Sequence, residues 1–294
     1  MPVQIDKQEM RRHAPVILAC LLLAVEPALS FIGPVAGVSI FGGWNPRAMY
    51  ATACIVNAVV IAALCAWFLK KLGSDRDFQA RPADLFFGVL CTMCAYPAAL
   101  SISETVGKYF PDGGAVSDAV IDSTSFGPVL AWILMAAAPA VSEELLFRGV
   151  LFGAFRKYGF AAALAVSAVG FSLIHGFVQQ MAYTLLMGVL WALLREFSGS
   201  VVPSMLGHMA FNSVALLAVF QPTGNFAGTG SAPSLLPLFI VAIVGAAGSV
   251  WILTAMRRHA PERTNTSSFW RPAAGLAVLA MAAHFGLSYL ISTL

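Results

Sequence analysis

The sequence predicts an all-α fold, a polytopic transmembrane helical bundle of about eight to nine spans, and three observations predict it. The 294 residues are 59% hydrophobic and only 11% charged, with a mean hydropathy of +0.81, far from a soluble domain. Apolar runs of about 20 residues, long enough to cross ~30 Å of hydrocarbon, recur along the whole length. Between those runs the basic residues concentrate in alternate loops, which puts them strongly on one side of a membrane.

Nine candidate spans follow in order: 14–35, 48–69, 85–103, 128–150, 159–176, 180–197, 201–220, 234–256 and 273–293. The first follows Lys7, Arg11 and Arg12 and superficially resembles a signal peptide. It is too long for one, and Glu26-Pro27 interrupts it, so it reads as an uncleaved span. The polar segment KKLGSDRDFQARPAD ends the second span and ETVGKYFPDGGAVSDAVIDS ends the third. QPTGNFAGTGSAPS closes the seventh span and RRHAPERTNTSSFWR the eighth. All five cysteines lie within apolar runs, and Cys91 and Cys94 form a CxxC. With no second pair and no flanking polar ligands, they read as small residues packed between helices. No internal repeat or soluble domain interrupts residues 1–294, which read as a single membrane domain with a core at about 128–220.

A cytoplasmic N-terminus places fourteen lysines and arginines inside, among them Lys70, Lys71, Arg156, Lys157, Arg195, Arg257 and Arg258, and leaves only Arg47 and Lys108 outside. The basic residues occur singly or in pairs at the ends of apolar runs, which carries no nucleic-acid signature. The expected surroundings are a lipid bilayer.

Ionisable residues inside the apolar runs are few: Glu26, Glu143, Glu144, Arg148, His175, His208 and His284. A carboxylate or guanidinium at a bilayer centre costs about 2.5–3.5 kcal/mol on insertion scales, so such groups pair, line wet cavities or do chemistry. Glu144 and Arg148, four positions apart, share a helical stripe and can neutralise one another. Glu143 projects about a quarter-turn away and is left outside that pair. Phe171 and His175 share a stripe, so the ring can pack beside the imidazole. His208 and Asn212 share another. A glutamate, two histidines and an asparagine from three helices can therefore converge on one buried site, supplying a base, a proton carrier and donors for a developing oxyanion. His284 has no polar company and reads as a packing residue. Glu26 beside Pro27 reads either as a cap for carbonyls freed by the proline or as part of the cavity lining.

The ordered set EExxxR, FxxxH and HxxxN, each in an apolar run, resembles the three motifs of the CPBP intramembrane endopeptidases, which include type II CAAX prenyl proteases and bacteriocin-processing enzymes. The resemblance covers roughly residues 128–220. It implies a peptidase in which Glu143 and His175 activate water, His208 and Asn212 stabilise the tetrahedral oxyanion, and Glu144 and Arg148 hold the architecture. It also implies a membrane-associated or lipid-anchored protein or peptide as substrate. The expected location is a bacterial inner or plasma membrane.

Direct attack of water fits these residues, and no cofactor is expected. No Ser-His-Asp or Cys-His set stands at the motif positions, and neither Ser142 nor Ser172 has a nucleophile-elbow context. The closest alternative is a zinc version, since two histidines and a glutamate can bind Zn²⁺ with an open position for water. No HExxH is present. Intramembrane Glu, His and Arg also build proton relays, so an ion-coupled transporter and a non-catalytic scaffold or immunity factor are the competing classes. Depth raises one difficulty: at 1.5 Å per residue Glu143 lies ~20 Å from Arg156, whereas His208 lies only ~12 Å from Ser200. The motifs can meet only if the seventh span begins deeper, or if 199–207 enters the membrane as non-helical backbone.

Overall fold

A computed structural model describes residues 14–24, 46–71, 78–110, 127–219 and 235–259. Over these residues the chain forms eight helices and no strand. They are α1 (Ala14–Ala24) and α4 (Pro128–Arg156), with α2 (Pro46–Lys71), α3 (Pro82–Gly107), α5 (Phe160–Leu173), α6 (Val178–Ser198), α7 (Val202–Val219) and α8 (Leu235–Arg257). The protein is an all-α helical membrane bundle. By length and composition α3, α4 and residues Phe239–Arg257 of α8 suffice to cross a membrane. The rest of the first expected span, with Glu26, and the ninth span, with His284, lie outside the described residues.

The helix ends follow local chemistry. Pro82 and Pro128 occupy first-turn positions of α3 and α4, where a missing N–H costs nothing. Gly159, with φ +115°, precedes α5. Gly199, with φ +74°, closes α6 in the left-handed conformation and returns its N–H to Arg195 O.

Helix α4 is continuous but irregular, with π-helical turns at Ile133–Ala137 and Leu145–Leu151. The first lies just before Pro139, and Ala138 N–H bonds Ile133 O, five residues back. Proline has no N–H to give and its ring crowds the carbonyl four residues before, so the helix widens there. The second widened turn follows Glu143 and Glu144 directly.

Helix α3 is the common wall of the bundle, packing extensively against α6, α7 and α8. Its approach to α7 is close because the crossing is built from glycine: a Cβ on Gly88 would strike the Pro203 backbone, and one on Gly207 would strike Thr92. Such small-residue crossings are how helices bind tightly where lipid removes the hydrophobic drive. Against α8, Ser249 Oγ donates to Cys91 O at 3.0 Å, and Cys94 lies against Gly245 and Gly248. Both cysteines are free thiols packed against α8, the helix packing that their surroundings in the sequence suggest.

The depth difficulty resolves at the α6–α7 turn. Residues 199–201 alone leave the helix, and α7 begins at Val202, so no non-helical stretch reaches Gly207. The turn is itself buried: Ser200, Val201 and Ser204 have no exposed surface. Its backbone is satisfied by serines, with Ser200 N–H donating to Ser198 Oγ at 3.1 Å and Val202 N–H to Ser200 Oγ at 3.2 Å. The seventh helix therefore starts inside the protein. Arg195 belongs to the same correction. Sequence reading places it with the cytoplasmic loop cations, but it is buried within α6, and its Nε donates to Arg148 O at 3.2 Å.

Candidate active site

Four helices bring the three motifs together around a polar core. On α4, Arg148 Nη1 donates to Glu144 Oε1 at 2.7 Å, and neither side chain has any exposed surface. The i, i+4 spacing delivers the pair even through the widened turn. Nη2 is held by another element, donating to Gly188 O of α6 at 3.1 Å, while the buried Nε has no hydrogen-bond partner among the described residues. The Arg148 Cζ lies 4.4 Å from the Phe171 ring centroid and 5.4 Å from that of Trp191, cation–π distances.

Glu144 Oε1 has a second partner in α7, where His208 Nδ1 lies 3.1 Å away. A carboxylate only accepts, so Nδ1 carries the proton and Nε2 points elsewhere. Nε2 faces Glu143 Oε2 at 3.9 Å. The two adjacent glutamates thus differ sharply. Glu144 is sealed in, while the Glu143 side chain keeps 27% of its surface exposed. His208 is buried, its ring stacked on Trp191 with centroids 4.0 Å apart and planes 20° from parallel.

His175 does not lie on a helix. Helix α5 ends at Leu173, and His175 occupies the turn beyond it, before Gly176 at φ +74°. A glycine in that conformation stops a helix, and this signal qualifies the reading of 159–176 as one unbroken span. The expected contact with Phe171 nonetheless forms, with ring centroids 4.9 Å apart. His175 Nδ1 lies 2.8 Å from Phe171 O. A carbonyl only accepts, so Nδ1 is the donor and Nε2 is left with its lone pair. The Phe171 ring also meets His208 edge-on at 5.6 Å, so one aromatic ring touches both imidazoles and the Arg148 guanidinium. Asn212 lies one turn along α7 from His208 and is partly buried.

The serines near the motifs are engaged in backbone bonds. Ser142 Oγ donates to Ala138 O at 3.0 Å, and Ser172 Oγ donates to Met181 O at 2.7 Å. Among the described residues no group of three or more His, Cys, Asp or Glu side chains is gathered as a metal site. Sequence reasoning missed Trp191, Gly188, Arg195 and Thr92. The first two look like ordinary apolar helix positions, and only the tertiary arrangement brings them to the polar core.

Residues 125–214 match the sequence profile of a family described as type II CAAX prenyl endopeptidase Rce1-like. The match spans all three motifs, EExxxR, FxxxH and HxxxN. At family level it supports a CAAX-type intramembrane protease, a class that acts on membrane-associated proteins. No curated protein and no solved structure matches the chain.

Proposed function

We propose that this protein is an intramembrane endopeptidase that hydrolyses a peptide bond in a membrane-associated or lipid-anchored protein or peptide, with water as the nucleophile. The observation that carries the reading is the placement of His208 between two unlike carboxylates, the sealed Glu144 at 3.1 Å and the more accessible Glu143 at 3.9 Å.

Each residue has a role in this reading. Glu143, open enough to meet water, acts with His175 Nε2 to take the proton from the attacking molecule. The carbonyl carbon becomes tetrahedral and its oxygen negative. His208 and Asn212 stabilise that oxyanion. Since Nδ1–H of His208 is committed to Glu144, Nε2 can donate only from the doubly protonated ring. Collapse of the intermediate breaks the C–N bond, and the proton held by the base passes to the leaving amine. Glu144 and Arg148 keep His208 oriented and the core neutral.

The metal-free mechanism is the one proposed. Glu144 is sealed from solvent, its Oε1 shared between Arg148 and His208 and its Oε2 buried, so a zinc site would use Glu143 as ligand and leave no water-accessible acid as base. Cleavage that survives exhaustive chelation and does not respond to added Zn²⁺ supports the water mechanism. Loss on chelation with recovery on adding Zn²⁺ overturns it.

The test of function is Glu143→Gln, which keeps size and hydrogen bonding but removes the base. Comparative proteomics of membrane-protein termini, wild type against this variant, should show a set of termini lost by a factor of about 10²–10⁴ in rate. The same experiment names the substrate. Termini unchanged in the folded variant would instead place the protein with scaffolds or carriers.

A further inference from the structure

Thr92 belongs to α3, outside the 125–214 segment, and has no exposed surface. Its hydroxyl works in both directions. Thr92 Oγ1 donates to Gly88 O at 2.9 Å and accepts the indole N–H of Trp191 at 3.2 Å. A Cβ on Gly207 would collide with this same oxygen, so Thr92 fills the notch beside the residue that immediately precedes His208. The side chain thus touches His208's backbone neighbour on one side and the indole stacked on its ring on the other.

An aromatic stack alone fixes the spacing of two rings but leaves each free to turn in its own plane. Trp191 has a single hydrogen-bond donor, so the acceptor it finds sets its in-plane orientation. The indole then bears on the imidazole at 4.0 Å, while Glu144 holds Nδ1 and the Phe171 edge closes a further side. We propose that Thr92 is a positioning residue for His208: it locks the Trp191 indole and the Gly207 notch so that His208 Nε2 is aimed at the reacting carbonyl. The inference rests on the peptidase reading of His208.

The test pairs Thr92→Val, which keeps the branched shape and removes the acceptor, with Thr92→Ser, which keeps the acceptor and loses a methyl. The substrate is a peptide spanning a terminus that disappears in Glu143→Gln membranes, cleaved by purified full-length protein. Thr92→Val should lower kcat about tenfold with KM within about twofold, because small misplacement of a reacting group acts on the chemical step. Thr92→Ser should stay within about threefold of wild type. Should Thr92→Val fail to accumulate, Thr92→Ala removes the same acceptor while leaving the Trp191 indole in place, and should show the same split. Cleavage by Thr92→Val at the wild-type rate, or equal losses in Val and Ser, overturns the proposal. If Glu143→Gln spares every terminus, the peptidase reading fails first, an outcome distinct from any produced by Thr92, and this inference falls with it.

Discussion

Replacing Arg148 by Met isolates the energetic centre of the site. Arg148 and Glu144 are both wholly buried, with 2.7 Å between charged atoms. Removing the guanidinium leaves the Glu144 carboxylate with His208 as its partner, strips Gly188 O of its side-chain donor, and empties the face of Phe171. Breaking one side of a buried ion pair costs about 3–5 kcal/mol, since the remaining charge stays desolvated. Loss of the cation–π contacts contributes about 1 kcal/mol more. Glu144→Gln strands the arginine in the same way while keeping an acceptor for His208 Nδ1. The double substitution removes both charges, so it should be less destabilising than the sum of the singles, by at least about 2 kcal/mol. Detergent-to-SDS unfolding of the purified protein, followed by helical circular dichroism, measures all three. Additivity within about 0.5 kcal/mol, or an Arg148→Met loss below about 1 kcal/mol, would refute the reasoning, because the two charges would then not be compensating one another.

Two further expectations concern packing and ion pairing. Gly207→Ala forces a Cβ against Thr92 and to 3.0 Å from Gly88 O, so it should destabilise by about 1–3 kcal/mol in thermal unfolding; Gly153→Ala, with nothing within 4 Å, should be neutral or stabilise by up to about 1 kcal/mol. Arg156 Nε and Nη2 fork onto the Glu196 carboxylate, at 2.7 Å for the shorter contact, with each side chain only 13% exposed, so Arg156→Gln should cost about 1–3 kcal/mol, with little dependence on salt.

The sequence by itself determined whatever depends on spacing within one helix. Apolar run length set the helices, whose ends over the described chain fall within about four residues of the expected runs, except that α4 continues to Arg156, six residues past its expected end. The Glu144–Arg148 pair was legible because about 100° per residue places i and i+4 on nearly one stripe, a placement that the widened turn preserves. The Phe171–His175 contact forms as expected although His175 sits in the turn just past the end of α5. The tertiary structure decided the rest. Glu143 meets His208 across 65 residues of chain, a proximity no local period encodes. Arg195 reads as a loop cation at the end of an apolar run, yet the buried α6–α7 turn draws it inside to bond Arg148 O. Thr92 and Trp191 carry no pattern at all, being unremarkable positions on long apolar helices until the Gly88 and Gly207 crossing lets α3 approach α7. Intrahelical geometry is local and repeats, so it can be computed from order alone; which helices touch is settled by where glycines let backbones close up and where buried charges find partners, and those are properties of the assembled bundle.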